Sequence, residues 1–346
     1  MKKIISFSPT SNYDSQIKQF LNKTTNTKVI FPSPIKKTTN DYNLSICLPK
    51  KLNLNNFING LKDESNIIFT TNGHCNYNYY LEISKIILND LNHPKELYPL
   101  INKGKINIKE TYQNLNKINP KLKLSKYLYY LFHMIISIKI IDKIDTIIRK
   151  NIGFEKIKNT NYNLKQDFLT DLEKENSILK LFLIYFKYKK LFKKIPIIKP
   201  KNTLKVAIIG ELYIDIEPLS NYTLEKFLGN LNIEIKSYSN LHYLSKPNKL
   251  KKNIMLKKVK NYCKYPLNFN DLKNIYTTLN SINKAYDAVI FIKPLGCTKG
   301  SATIPIIQKI CNQHKMPILF LSYGTKIKET RIKLEEFLNS IVRKKN

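Results

Sequence analysis

Short β-branched runs that break into a turn and then a helical repeat recur toward both ends of the chain, and this alternation restricts the fold more than any other feature. NIIFTTNGHCNYNYYLEISKIILNDL, from Asn66 to Leu91, puts Cys75 in the turn after a strand. DAVIFIKPLGCTKGSATIPIIQKICNQH, from Asp287 to His314, puts Cys297 in the same kind of place. Cys47 opens a third helical stretch, ICLPKKLNLNNFINGL. In open α/β sheets ligands collect at the carboxyl ends of the strands, and the N–H groups of a helix N-terminus favour the thiolate of a nearby cysteine.

Taken in order, KIISFS, KVIFPS and NIIFTT predict strands, with helical spacing from Asn12 to Leu21 and from Tyr79 to Leu91. The order β-α-β-α-β-α implies a parallel sheet. From about His93 to Pro200 the strand signal disappears, and helices are expected over Leu124 to Lys150 and Asp171 to Lys194, their apolar stripes forming a packing core. KVAIIGE, beginning at Lys205, restarts the α/β pattern, followed by IEIKSYS, a Lys-rich surface helix between Pro247 and Lys264, and the Cys297 segment. The fold class expected is α/β, two Rossmann-like parallel-sheet lobes with a helical section between them. The domains are 1–95 with Cys47 and Cys75, 96–200 in the middle, and 201–346 with Cys297.

The net charge of +34 suggests a nucleic-acid binder at first sight. Of the 59 basic residues, however, only Arg149, Arg331 and Arg343 are arginine, the side chain best suited to bidentate phosphate and guanine contacts. A lysine excess spread along the whole chain is read as compositional. It favours weak, salt-dependent adhesion to polyanions and an acidic partner, not a specific nucleic acid. The first residues, MKKIISFSPTSN, hold too short an apolar run for a signal peptide, and YLYYLFHMIISIKII is interrupted by His133 and Lys139, so neither secretion nor a membrane partner is expected. An odd cysteine count is no disulfide framework, and a reducing cytoplasm follows.

No nucleotide-binding P-loop, G-x-G-x-x-G, C-x-x-C or H-E-x-x-H occurs, which disfavours nucleotide hydrolysis and compact zinc sites. Judged by position alone, Cys47, Cys75 and Cys297 are either a shared metal site or small buried hydrophobes. Cys311, beside Ile306, Ile307 and Ile310, and Cys263 are taken as structural.

The surrounding residues discriminate. ICLPKKLNLNNFINGL resembles a C-L-P-x-K-x-x-x-x-N-F element, TTNGHCNYNYYLEISKIIL a G-P-C-R-F-G-Y-Y element, and FIKPLGCTKGSA a P-x-G-C-M-P element, all of the 2-hydroxyacyl-CoA dehydratase superfamily and its CoA-enzyme-activase relatives. Gly210, Glu211, Tyr213, Pro218 and Asn221 are similar to the family's G-E-x-Y, D-P and Asn elements, and KLEEFL to its R-L-E-A-F, with Lys333 in place of the arginine. The resemblance covers both lobes in order. It implies a 4Fe-4S cluster held between the lobes by Cys47, Cys75 and Cys297, and an electron delivered by a separate ATP-dependent activase. It further implies dehydration of a 2-hydroxyacyl-CoA, or a related reduction, by a lyase- or reductase-type component, with a second dehydratase-like subunit or a second copy as partner. A double cubane needs about six cysteines, more than this chain offers.

His74, Asn76 and Asn78 replace the family's Pro, Arg and Gly, and Lys299 replaces a Pro. The lost arginine removes an anion clamp. As candidate catalytic groups, His74 is a proton donor or fourth ligand if it is not simply solvated, and Glu211 is a general base or a cap. Two other readings compete: a non-catalytic electron-carrier or scaffold subunit that keeps the cluster, and a metal-free polyanion binder.

Overall fold

The computed structural model describes residues 3–32, 47–59, 65–71, 80–92, 95–101, 106–211, 223–237, 249–264, 269–324 and 327–345. The chain divides into two compact units, one of residues 1–141 and 169–183, the other of residues 142–168 and 184–346. Each carries a four-stranded sheet whose strands all run parallel.

In the first unit, β1 (Ile4–Phe7) lies between β2 (Lys28–Val29) and β3 (Ile67–Thr71), and β4 (Glu96–Ile101) pairs outside β3. Helix α1 (Asp14–Thr25) links β1 to β2, α2 (Leu48–Asn59) precedes β3, and α3 (Tyr80–Asp90) leads to β4. The second unit repeats the order: β5 (Lys205–Gly210) lies between β6 (Glu234–Ser237) and β7 (Ala288–Pro294), with β8 (Ile318–Tyr323) outside β7. The two-lobed parallel α/β expectation therefore holds.

Burial explains which strands are central. β1, β5 and β7 are apolar runs buried on both faces, whereas the edge strand β6 alternates between half-buried and buried. β4 breaks the expectation that strands stop at His93. Pro99 hides it from a strand pattern, yet it occupies an edge, where a missing donor is tolerated.

The helices of the middle section are α4 (Ile108–Ile118), α5 (Leu124–Asn151), α6 (Thr160–Lys174) and α7 (Ile178–Lys194). The single helix expected over Asp171 to Lys194 is two. Between them the Glu175 carboxylate accepts from the N–H groups of Asn176, at 2.9 Å, and Ser177, at 2.8 Å, so a side chain satisfies the two donors just before α7. Nor are all the stripes core: α7 buries Leu181, Tyr188 and Phe192 but leaves Leu179, Phe182, Leu183 and Phe186 exposed.

The second unit continues with α8 (Leu224–Asn230), α9 (Lys249–Val259), α10 (Phe269–Asn283), α11 (Thr298–Gln313) and α12 (Ile327–Lys345). The Lys-rich α9 is not wholly solvated. Met255 and Val259 are buried in the core beside Ile275, Phe291 and Ile310. No helix among the described residues is long and apolar enough to cross a membrane.

Candidate functional site

In a doubly wound sheet, ligands bind at the carboxyl edge where the strand order reverses. In the second unit this switch point falls between β5 and β7, and the backbone there is closely joined. Gly210 pairs with Ile292, and the Glu211 N–H donates to the Ile292 carbonyl at 3.0 Å. Gly210 has φ +142°, and a Cβ there would stand 1.9 Å from the Ile292 oxygen, so only glycine fits. Glu211 thus leaves the end of β5 beside the strand that leads to Cys297.

Beyond β7, Pro294, Leu295, Gly296 and Cys297 form a turn in which the Cys297 N–H reaches the Pro294 carbonyl at 3.2 Å. Gly296, at φ +74°, supplies the left-handed residue that such a turn requires. The turn delivers Cys297 as the N-cap of α11, its Sγ accepting the Gly300 N–H at 3.4 Å. Gly300 packs on the stem of Lys293, and a Cβ there would lie 3.1 Å from the Lys293 Cβ. Cys297 is half-buried.

Cys47, also half-buried, belongs to the first unit and immediately precedes α2. Its carbonyl accepts the N–H groups of Lys50, at 3.0 Å, and Lys51, at 3.1 Å. Pro49 is compatible with this first turn because its missing N–H would have no intrahelical partner there. Lys50 is 6 % exposed, and its ammonium donates to the hydroxyl of Ser84 on α3, itself fully buried. Burial pushes the Lys50 pKa down to about 8, against the opposing pull of Cys47 and Glu82.

Cys75 and His74 lie outside the described residues, as do Asn76, Asn78, Tyr213, Pro218 and Asn221. By sequence, Cys75 follows β3 as Cys297 follows β7, and β3 and β7 hold equivalent places in the two sheets. The structure thus brings Glu211 and Cys297 to one sheet edge and sets Cys47 at a helix start in the other unit. Among the described residues no three His, Cys, Asp or Glu side chains gather into a metal site. Cys311 is fully buried among Ile307 and Ile310, and burial pushes its thiol up to about 12. Cys263 packs partly against the same core.

Sequence reasoning passed over Lys50 and Gly300. Lys50 stands three residues after Cys47 in a helix whose Leu48, Leu52 and Leu54 are all buried, a placement set by how α2 packs and not by sequence spacing. Gly300 stands three residues after Cys297, the spacing of an N-cap contact. A search of family models finds none that matches the chain, and a search of characterised proteins finds no match.

Proposed function

We propose that the chain is a cytoplasmic iron-sulfur protein whose 4Fe-4S cluster is ligated by Cys47, Cys75 and Cys297. It takes low-potential electrons from an ATP-dependent activase and serves the dehydration or reduction of an acyl-CoA-type substrate, alongside a second dehydratase-like subunit or a second copy. The observation that carries this reading is Cys297: a half-buried sulfur at the switch-point edge, capping a helix, with the Gly300 N–H turned onto it. Hydrogen bonds to sulfur and a nearby helix N-terminus both favour the thiolate form that iron requires. Cys47 has the corresponding helix-start position, so the donor chemistry of the two described cysteines suits such a cluster.

When bound, the cluster supplies one-electron chemistry. The chain's own residues fix its surroundings: the Gly300 N–H donates to Cys297, Gly210 allows β5 to close on β7, and Glu211 stands at the same edge as a proton acceptor for substrate. The second reading, an electron-carrier or scaffold subunit, draws on one specific feature, the His74, Asn76 and Asn78 replacements in the second element.

Iron and acid-labile sulfide after strictly anaerobic purification test the proposal. About four of each per chain are expected, and Cys75→Ala should lose them. Absence of both from the wild type would overturn the proposal. With iron present, turnover of a 2-hydroxyacyl-CoA in the presence of an activase separates enzyme from carrier.

A further inference from the structure

Gln16, the third residue of α1, is 1 % exposed, and among the described residues neither its Nε2 nor its Oε1 has a hydrogen-bond partner. Exchanging the two atoms would change nothing, because both are unsatisfied. Gln19, one turn further on, shows how such an amide is ordinarily met: its Nε2 donates to the carbonyls of Glu173, at 3.1 Å, and Glu175, at 2.6 Å. A buried carboxamide without partners has given up its bonds to water for nothing, and a group kept in that state calls for a ligand or a trapped water.

The amide stands where a parallel sheet binds ligands. α1 starts beyond the carboxyl end of β1, and the strand order of this sheet reverses between β1 and β3. The edge there is fixed: the Ser8 N–H donates to the Phe69 carbonyl at 2.8 Å, and Thr10 donates from its N–H and its hydroxyl to Asp14. Asp14 puts an acidic side chain in the first turn, which disfavours a phosphate at this helix start. The group that suits Gln16 is therefore neutral, with an acceptor for Nε2 and a donor for Oε1 on neighbouring atoms.

We infer that Gln16 is a substrate-binding residue that receives the 2-hydroxyacyl end of a CoA thioester: Nε2 donates to the thioester carbonyl, and Oε1 accepts from the hydroxyl on the adjacent carbon. The inference rests on the function proposed above and names the residue that reads the 2-hydroxyl. An adenine edge offers the same donor and acceptor, but a side chain so deeply buried meets the narrow acyl end of the ligand and not a bicyclic base. No covalent bond forms or breaks at Gln16.

Binding of lactoyl-CoA, propionyl-CoA and free CoA is measured calorimetrically on anaerobically purified wild type, Gln16→Leu and Gln16→Met, with no activase and no electron donor. Wild type should bind lactoyl-CoA at least about tenfold more tightly than propionyl-CoA, which lacks only the hydroxyl, and both variants should lose that preference. Their urea midpoints should equal or exceed that of wild type, because an apolar side chain of similar size replaces an unpartnered amide. Variants that keep the preference overturn the inference and leave the amide to a trapped water. An equal loss of affinity for free CoA assigns the amide to the adenine and overturns it likewise. Variants that fail to fold show that the protein itself satisfies the amide, and the inference falls. Iron is read separately: iron-bearing wild type with no preference overturns this inference and leaves the cluster standing, whereas iron-free wild type whose preference the variants lose does the reverse.

Discussion

Gly210 shows how one residue sets the geometry of the sheet edge. Its backbone is held where a Cβ would meet the carbonyl of Ile292, and the next N–H, that of Glu211, closes on the same oxygen. Gly210→Ala must either part β5 from β7 or strain both, and a loss of about 3 kcal/mol is expected in urea unfolding. Asp14, at the start of α1, makes the opposite kind of demand. It accepts from the Thr10 N–H at 2.6 Å and the Thr10 hydroxyl at 2.8 Å, yet burial outweighs both and pushes its pKa from 3.8 up to about 6. The folded chain then holds this proton more tightly than the unfolded chain, so the contribution of Asp14 to stability falls as pH rises from about 4 to about 6. Asp14→Asn removes that dependence. Measured as the difference in urea midpoint from pH 4 to pH 7, the variant should gain on wild type with rising pH; a flat difference would show that Asp14 ionises as an ordinary carboxylate.

At the scale of elements, the end of α5 is locked onto α8. The Arg149 Nε donates to the Glu225 carboxylate at 2.6 Å, and Gly153, at φ +87°, brings its backbone so near Gly229 that a Cβ would lie 1.8 Å from the Gly229 oxygen. Arg149 is 7 % exposed, so removing the Glu225 carboxylate weakens the compensation of a buried charge. Glu225→Ala should cost about 2 kcal/mol, discounted for the partial exposure of Glu225. Double substitution with Arg149→Met should recover part of that loss, because the buried charge that Glu225 compensates is then gone. Local sequence pattern made most elements readable. NIIFTT, KVAIIGE and DAVIFIKP are strands because β-branched runs of that length suit a sheet buried on both faces. It could not show β4, whose Pro99 is acceptable only because β4 is an edge, nor the break at Glu175, where a side chain outcompetes helix continuation. Both depend on tertiary placement or on one side-chain rotamer, neither of which periodicity encodes.

For the whole molecule, the candidate site was legible in part for the same reason. Cysteines after strands and before helices can be found by reading, and Cys297 stands where reading put it. The burial of Lys50 against Ser84 depends on how α2 meets α3, which no spacing within the chain reveals. Charge is the remaining molecular property, and it separates the iron-sulfur reading from polyanion binding. A chain with net charge +34 and three arginines should bind heparin and DNA alike through lysine contacts to anions, releasing counterions as it does so. Its affinity should fall steeply, by about a hundredfold or more between 50 and 200 mM salt, with the same slope for unrelated DNA sequences. Neither incorporated iron nor Cys75→Ala should alter that slope, because the adhesion belongs to the dispersed lysines and not to the cysteine sites. If one DNA sequence resists salt while others do not, the lysines form a specific interface, and the excess is then more than compositional.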